Sequence, residues 1–146
     1  MGTRIRLPGR TEIVHESPLV VLDGAHNPAA FLALREAMTE LPHAAGPRVL
    51  VCGALRGRDL ASALARLAKE VDSVILCEPP SPQAMSTAYL AAALGSTPAP
   101  TLIADPADAL RAALTTAGTH GMMGVTGSPH LLHRARRGLP PQPGSR

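Results

Sequence analysis

Short apolar runs rich in β-branched residues alternate with segments of helical period along most of the chain. Strands that alternate with helices in this way indicate parallel βαβ units joined by right-handed crossovers. The predicted strands are residues 19–22, 49–52, 74–77, 102–103 and 122–125, with a possible edge strand at 11–15. The sequence therefore predicts an α/β fold, an open Rossmann-like and mostly parallel sheet of about six strands with helices on both faces.

The segments between these runs carry helix signals. Asn27 is placed to cap the first predicted helix, and Asp59 opens the second. The later helices are predicted over residues 87–94, 107–117 and 131–137. A length of 146 residues is typical of one domain, and the Pro-rich end LPPQPGSR favours disorder. We therefore expect a single domain over residues 1–138 and a disordered tail over 139–146.

Composition argues against several classes of protein. Phe31 and Tyr89 are the only aromatic residues and the formal net charge is +3, whereas nucleic-acid modules combine a basic stripe with interleaved aromatics. The N-terminus has no apolar signal region, and no apolar run is long enough to span a bilayer. Cys52 and Cys77 form no CxxC pair. We expect a cytoplasmic protein with reduced thiols and with neither a nucleic-acid nor a membrane partner.

The polar residues of interest follow the predicted strands, where open α/β sheets bind ligands. Asp23 ends the first parallel strand and His26 follows it, just before a helix N-terminus. The Asp23 carboxylate could accept the two hydroxyls of a ribose, and His26 could help to hold an anionic substrate. An Asx turn and a simple helix cap account for the same residues, and local spacing alone favours this explanation because Asx turns are common.

Two other loops carry polar residues, the segment 56–59 and the last loop 125–129. The last loop offers small residues and backbone N–H groups that can cradle a carboxylate or phosphate. It lacks the GxSxG pattern, so Ser128 is not predicted to be a nucleophile. The chain contains no GxxxxGK[ST] loop, no GxGxxG after the first strand and no histidine or cysteine cluster with metal-ligand spacing.

Four short motifs occur in an order that resembles a known family. They are PGRTE at residues 8–12, LDGAHNP at 22–28, PPSP at 79–82 and VTGS at 125–128. Together they resemble the C-terminal glutamate-ligase domain of folylpolyglutamate and dihydrofolate synthases, which belong to the Mur ligase superfamily. LDGAHNP is the most specific of the four, and the resemblance extends from Pro8 to Gly138.

The resemblance implies an ATP-dependent ligase that converts a folate carboxylate to an acyl phosphate, which the amino group of glutamate then attacks. By position, Arg10 matches a catalytic arginine that contacts the ATP phosphates, and Asp23 matches the residue that binds the ribose. His26 matches a catalytic histidine near the incoming glutamate, and Ser128 matches a serine of the glutamate site. In this family an N-terminal P-loop domain supplies the phosphate loop and the magnesium ligands. The chain is therefore expected to act with such a domain, in cis or in trans, and to hold no metal itself.

Two loops differ from the family pattern and keep alternatives open. Arg58 stands where the family usually has a lysine, and Pro129-His130 replace an aromatic and an aliphatic residue. A ligase domain that acts on a non-folate acceptor fits these changes. A stand-alone, non-catalytic module that binds nucleotide or a partner protein is a second alternative. A flavodoxin-like or receiver-like signalling domain is disfavoured, because the acidic pair and lysine of such a site are missing.

Overall fold

The computed structural model describes residues 5–6, 11–23, 29, 31–32, 34–36, 46–56, 61–95 and 99–139. In this part of the chain seven strands form one sheet. The strands are β1 (Ile5–Arg6), β2 (Thr11–Glu16), β3 (Leu19–Asp23), β4 (Arg48–Cys52), β5 (Ser73–Leu76), β6 (Thr101–Leu102) and β7 (Met122–Thr126).

The strand order across the sheet is β1-β2-β3-β7-β4-β5-β6. Every neighbouring pair from β3 to β6 is parallel, whereas β1 and β2 are antiparallel additions at one side. The predicted open, mostly parallel sheet is confirmed. The sheet has one strand more than predicted, because the short β1 pairs with β2 and moves the segment 11–15 away from the edge.

Four helices lie within the described ranges: α1 (Ala61–Ala68), α2 (Thr87–Leu94), α3 (Pro106–Ala117) and α4 (Pro129–Gly138). The described residues between 29 and 36 are also helical, as predicted. Side-chain oxygens of Ser86, Asp105 and Ser128 cap α2, α3 and α4 by accepting hydrogen bonds from backbone N–H groups. The proposed caps Asn27 and Asp59 lie outside the described residues.

Two apolar clusters cover the two faces of the sheet. On one face Phe31, Leu34, α1 and α2 pack on strand residues such as Leu50 and Leu76. On the other face α3 and α4 pack on residues such as Val49, Ile75 and Val125. Each fully buried leucine or valine contributes about 1.5 to 3 kcal/mol through removal of apolar surface from water. The predicted arrangement of helices on both faces is therefore confirmed.

The predicted domain end at residue 138 and the predicted tail stay predictions. α4 ends at Gly138, close to the predicted end of the domain, but residues 140–146 of the predicted tail lie outside the described residues. None of the helices in the described ranges is long and apolar enough to cross a membrane.

Candidate functional site

The helical segments that follow β3 and β7 pack on opposite faces of the sheet. The helical residues that follow β3 pack on one face of the sheet through Phe31 and Leu34. The helix that follows β7, α4, packs on the opposite face through Leu131, Leu132 and Ala135. Where neighbouring parallel strands lead to opposite faces, a crevice opens at their carboxyl ends, and open α/β proteins bind ligands there. The ends of β3, β7 and β4 therefore form the candidate site.

Three residues form a row across these strand ends. In the strand register Asp23 pairs with Thr126, and Thr126 pairs with Cys52. Because side chains alternate along a strand, all three lie on the face of Val21, Leu50 and Met122. Phe31, Leu34 and α1 cover this face. We call Asp23, Thr126, Cys52 and the following Ser128 the carboxyl-edge site.

The polar members of this site are buried. Asp23 is 3% exposed, and Thr126 and Ser128 are fully buried. The side chain of Asp23 takes part in at least one polar interaction within the protein. Carboxylates and hydroxyls are seldom buried in this number unless hydrogen bonds satisfy them. The predicted ligand positions Asp23 and Ser128 are thus brought to the same edge of the sheet.

Thr126 belongs to the predicted ligand loop 125–129, but the sequence analysis gave it no role of its own, and the structure places it at the end of β7. Its hydroxyl oxygen Oγ1 has no hydrogen-bond partner within the part of the chain that the structure describes. A buried hydroxyl without a partner costs about 1 to 3 kcal/mol, so an isolated one calls for an explanation. The available signal was a polar residue at the end of an otherwise apolar strand, next to the small residues Gly127 and Ser128.

Backbone packing behind the site is very tight. Gly127 has φ of 114°, and a Cβ atom there would lie 2.2 Å from the carbonyl oxygen of Gly53. The Gly53 N–H donates to the carbonyl oxygen of Thr126 over 3.3 Å. Only glycine meets both the positive φ and the close contact, so the loops after β7 and β4 lie directly against each other.

Ser128 has a structural role that leaves its hydroxyl proton available for donation. Its Oγ accepts a hydrogen bond from the His130 N–H over 3.2 Å and thereby caps α4. A serine hydroxyl also carries one proton to donate. The cap therefore accounts for the position of Ser128, and it remains compatible with donation to a carboxylate of a bound substrate.

The two cysteines are not candidate nucleophiles. Burial raises the pKa of the Cys52 thiol far above its usual range, with the neighbouring Cys77 adding to the effect. Burial also raises the pKa of Cys77 to about 12, and the negative charges of Asp105 and Glu78 contribute in the same direction. Thiols held in the protonated form are poor nucleophiles and poor metal ligands.

The other predicted site residues, Arg10 and His26, lie outside the described residues, as does Arg58. The backbone of Thr11 pairs with Asp23, so β2 begins at the carboxyl edge of the sheet. An ion pair of 2.5 Å between the Arg136 and Glu12 side chains ties β2 to α4. No group of three or more histidine, cysteine, aspartate or glutamate side chains in the described ranges is arranged to hold a metal ion.

Comparison with known proteins gives consistent matches. The family model of the Mur ligase, glutamate ligase domain matches residues 9–129. A probable bifunctional folylpolyglutamate synthase/dihydropteroate synthase of Halobacterium salinarum is 35% identical over 132 residues, which are 88% of this chain and 16% of that protein.

Solved structures agree with these sequence matches. Escherichia coli FolC in complex with ADP, without folate substrate, has a TM-score of 0.79 and 34% identity over 90% of this chain and 31% of its own. A bifunctional folylpolyglutamate synthase/dihydrofolate synthase with Mn, AMPPNP and L-glutamate bound has a TM-score of 0.78 and 32% identity, with 90% and 31% coverage. The chain thus spans less than a third of these relatives, and it belongs to the Mur ligase glutamate ligase domain family.

Proposed function

We propose that this chain supplies the C-terminal domain of an ATP-dependent ligase, which adds glutamate to a folate-type carboxylate through an acyl phosphate. A P-loop N-terminal domain, in cis or in trans, completes the enzyme. The observation that carries the proposal is the position of the LDGAHNP motif. Its Asp23 ends β3 at the point where the connections reverse, beside the buried Thr126 and near the cap residue Ser128. A relative of the same fold has AMPPNP and L-glutamate bound.

Each proposed site residue has a distinct task. Asp23 accepts hydrogen bonds from the ribose hydroxyls of ATP and so positions the nucleotide. Arg10 directs its planar guanidinium group at the phosphate oxygens and stabilises the charge that develops as the phosphoryl group moves. His26 orients the incoming glutamate, and the hydroxyl proton of Ser128 is available to one of its carboxylates.

Divalent metal chemistry is assigned to the N-terminal domain. The described residues offer no cluster of metal-ligating side chains, whereas nucleotide complexes of relatives include Mn. When bound with ATP, magnesium would neutralise phosphate charge during transfer. The tasks left to this chain are to bind, to orient and to exclude water. Closure of the two domains would protect the acyl phosphate from hydrolysis.

A non-folate acceptor is the second candidate. Pro129 and His130, which replace the family's aromatic and aliphatic residues, are both exposed at the start of α4 next to Ser128. Surface residues at this position can contact an acceptor without disturbing the core. The same ligase chemistry would then serve a different carboxylate.

Reconstitution tests the proposal. The chain is mixed with the separately expressed N-terminal domain of Escherichia coli FolC, and ATP, magnesium, glutamate and either a folate or another carboxylate are added. We expect glutamylated product only in the mixture, because the phosphate-binding loop is supplied by the partner. Arg10→Ala and Asp23→Ala should impair the use of ATP, and His26→Ala should mainly raise the KM for glutamate.

The isolated chain provides the control. It should show no ATP turnover and bind ATP with a Kd in the millimolar range, corresponding to about 4 kcal/mol. Robust ATP hydrolysis by the pure chain would contradict the assignment of phosphate binding to a partner. Absence of association and of product with several N-terminal domains would favour the non-catalytic binding module.

A further inference from the structure

α4 carries basic residues in two different environments. Arg136 is paired with the buried Glu12. His130, His133, Arg134 and Arg137 instead recur at the i, i+3, i+4 and i+7 positions of the opposite, exposed face, and we call them the basic stripe. Their side chains make no ion pair or hydrogen bond within the described part of the chain. The stripe therefore has unused capacity to bind anions.

Two cavities border the stripe, and the residues that line them include no carboxylate. Asp108 on α3 is nearby and is paired with Arg111 over 2.8 Å. A cavity of about 360 Å³ is lined by the four stripe residues together with Pro80 and Pro129. A second cavity of about 310 Å³ lies between α3 and α4 and is also lined by Arg134 and Arg137. The sequence from residue 109 to residue 146 contains no aspartate or glutamate. Arg134 and Arg137 line both cavities and give each a positively charged wall, and we call the two cavities together the groove.

The groove begins at the carboxyl edge of the sheet. Pro129, which follows the cap residue Ser128, lines the first cavity, and Pro80 comes from the loop that follows β5. From there the stripe extends along α4 to Arg137 and into the second cavity. An anionic chain that reaches the carboxyl-edge site could therefore continue along α4 without crossing the core.

The spacing of the stripe fits a particular anion. Successive positions on one helix face are about 5.4 Å apart along the axis. A γ-linked glutamyl unit has five backbone atoms rather than the three of an ordinary peptide unit, so its extended length is about 6 Å per residue. Each unit carries one free carboxylate. Neighbouring carboxylates of such a chain can therefore meet neighbouring turns of α4.

We propose that the basic stripe binds the carboxylates of an oligo-γ-glutamyl chain carried by the substrate or the product. The inference rests on the proposed function in taking glutamate as the unit that is added. Single-stranded nucleic acids are less well matched, because neither Phe31 nor Tyr89 lines the groove to stack on bases. Arg134 and Arg137 are the central residues, because both cavities share them.

Binding is tested without ATP or ligase chemistry. Fluorescein-labelled penta-γ-glutamate is titrated with the 146-residue chain, and anisotropy gives the Kd. The double variant Arg134→Ala/Arg137→Ala should weaken binding by about tenfold for each arginine, because charge-assisted hydrogen bonds are lost. The control Arg66→Ala/Lys69→Ala removes equal charge from exposed positions at α1 on the other face and should change the Kd by less than about twofold.

Three results would overturn the inference: no binding by the wild-type chain, equal weakening in both double variants, or tighter binding of an oligothymidylate of equal charge. The first two leave no specific site, and the third indicates a nucleic-acid surface. Circular dichroism confirms that each variant is folded, which is expected because the changed side chains are exposed.

The reconstituted ligase separates this inference from the proposed function. With Arg134→Ala/Arg137→Ala the first glutamate should be added at the wild-type rate, whereas products with several glutamates should become scarce. An unchanged product length in this variant would contradict the inference and leave the ligase assignment intact. If the wild-type mixture makes no product, the ligase assignment fails, and the binding titration still decides whether the stripe takes oligo-γ-glutamate.

Discussion

The two ends of the parallel strands carry different sets of polar groups. At the amino ends the protein pairs its own groups: Leu19 N–H donates to Gly121, Met122 N–H to Pro47 and Gly46 N–H to His120, over 2.8 to 3.1 Å. At the carboxyl ends Asp23, Thr126 and Ser128 are buried side by side, and the Thr126 hydroxyl has no partner among the described residues. Buried side-chain atoms without a partner in the described ranges occur near both ends, at Ser73 and His15 near the amino ends and at Thr126 at the carboxyl ends. What sets the carboxyl ends apart is a buried carboxylate and two buried hydroxyls together, at the end where this fold binds ligands.

Tight packing does not distinguish the two ends. At the amino end a Cβ atom on Gly121 would lie 2.1 Å from the Ala117 carbonyl oxygen, and at the carboxyl end one on Gly127 would lie 2.2 Å from the Gly53 carbonyl oxygen. Both glycines allow backbones to approach more closely than any other residue permits. The comparison therefore concerns the polar side chains and not the backbone.

The largest expected effect tests whether the close backbone contacts at the two ends contribute equally to stability. Gly121→Ala and Gly127→Ala should each lower the free energy of unfolding by about 3 to 5 kcal/mol, because backbone atoms must move. Gly95→Ala is the control, since its φ of 91° is also positive but no atom lies within 4 Å. It should cost about 1 to 2 kcal/mol. Urea denaturation measures all three, and equal losses would show that close contact is not the cause.

The next effect compares one aspartate from each end. Asp23→Ala in the reconstituted ligase should reduce kcat/KM for ATP by the equivalent of about 2 to 4 kcal/mol, if the contact tightens in the transition state. Asp72 accepts a hydrogen bond from the Arg48 N–H over 2.8 Å at the amino end. Asp72→Ala should leave kinetics unchanged and cost about 1 kcal/mol of stability. A kinetic defect in both variants would remove the functional distinction between the ends.

A third effect concerns the tie between β2 and α4. Arg136→Ala removes the ion pair with the 4%-exposed Glu12 and should lower the free energy of unfolding by about 1 to 2 kcal/mol. The loss is moderate because Arg136 itself is half-exposed and Glu12 has a further interaction. Arg134→Ala should change the free energy of unfolding by less than about 0.5 kcal/mol. A double-mutant cycle of Arg136→Ala and Glu12→Gln, measured by thermal unfolding, gives the coupling energy of the pair. A coupling energy near zero would mean that the ion pair does not fix β2 beside the carboxyl edge.

The spacing of apolar residues and the positions of turn and helix-capping residues predicted most of the fold. The run Leu19 to Leu22 and the run Met122 to Val125 became β3 and β7 with shifts of one residue, because buried parallel strands are continuous apolar runs. β1 was missed because two residues paired at an edge leave no pattern in the sequence. The order that places β7 between β3 and β4 depends on long-range pairing and was also not predicted.

The candidate site was predicted less completely. Asp23 and Ser128 were found because they follow strands in a recognisable motif, and the structure places both at the carboxyl edge. Their roles in binding remain predictions. Thr126 was predicted only as a member of the loop 125–129, because its burial and its lack of a partner in the described structure are not visible in the sequence. The basic stripe was also not predicted, because Leu131, Leu132 and Ala135 separate its members along the sequence. The helix buries these three apolar residues.

The smallest effect on stability is expected at Thr126, and it tests the comparison most directly. Thr126→Val keeps the shape of the side chain and removes a buried hydroxyl that has no partner in the described structure. The free energy of unfolding should stay within about 1 kcal/mol of the wild type or rise, because no hydrogen bond is lost. Ser128→Ala is the matched change on the same loop, and it should cost about 1 kcal/mol because the cap of α4 is lost. In the reconstituted ligase both variants should lower kcat/KM if the carboxyl edge holds substrate. Urea denaturation and steady-state kinetics on the same preparations provide both readouts. A stability loss at Thr126 as large as that at Ser128 would show that the hydroxyl serves the fold, and the two ends of the sheet would then no longer differ in kind.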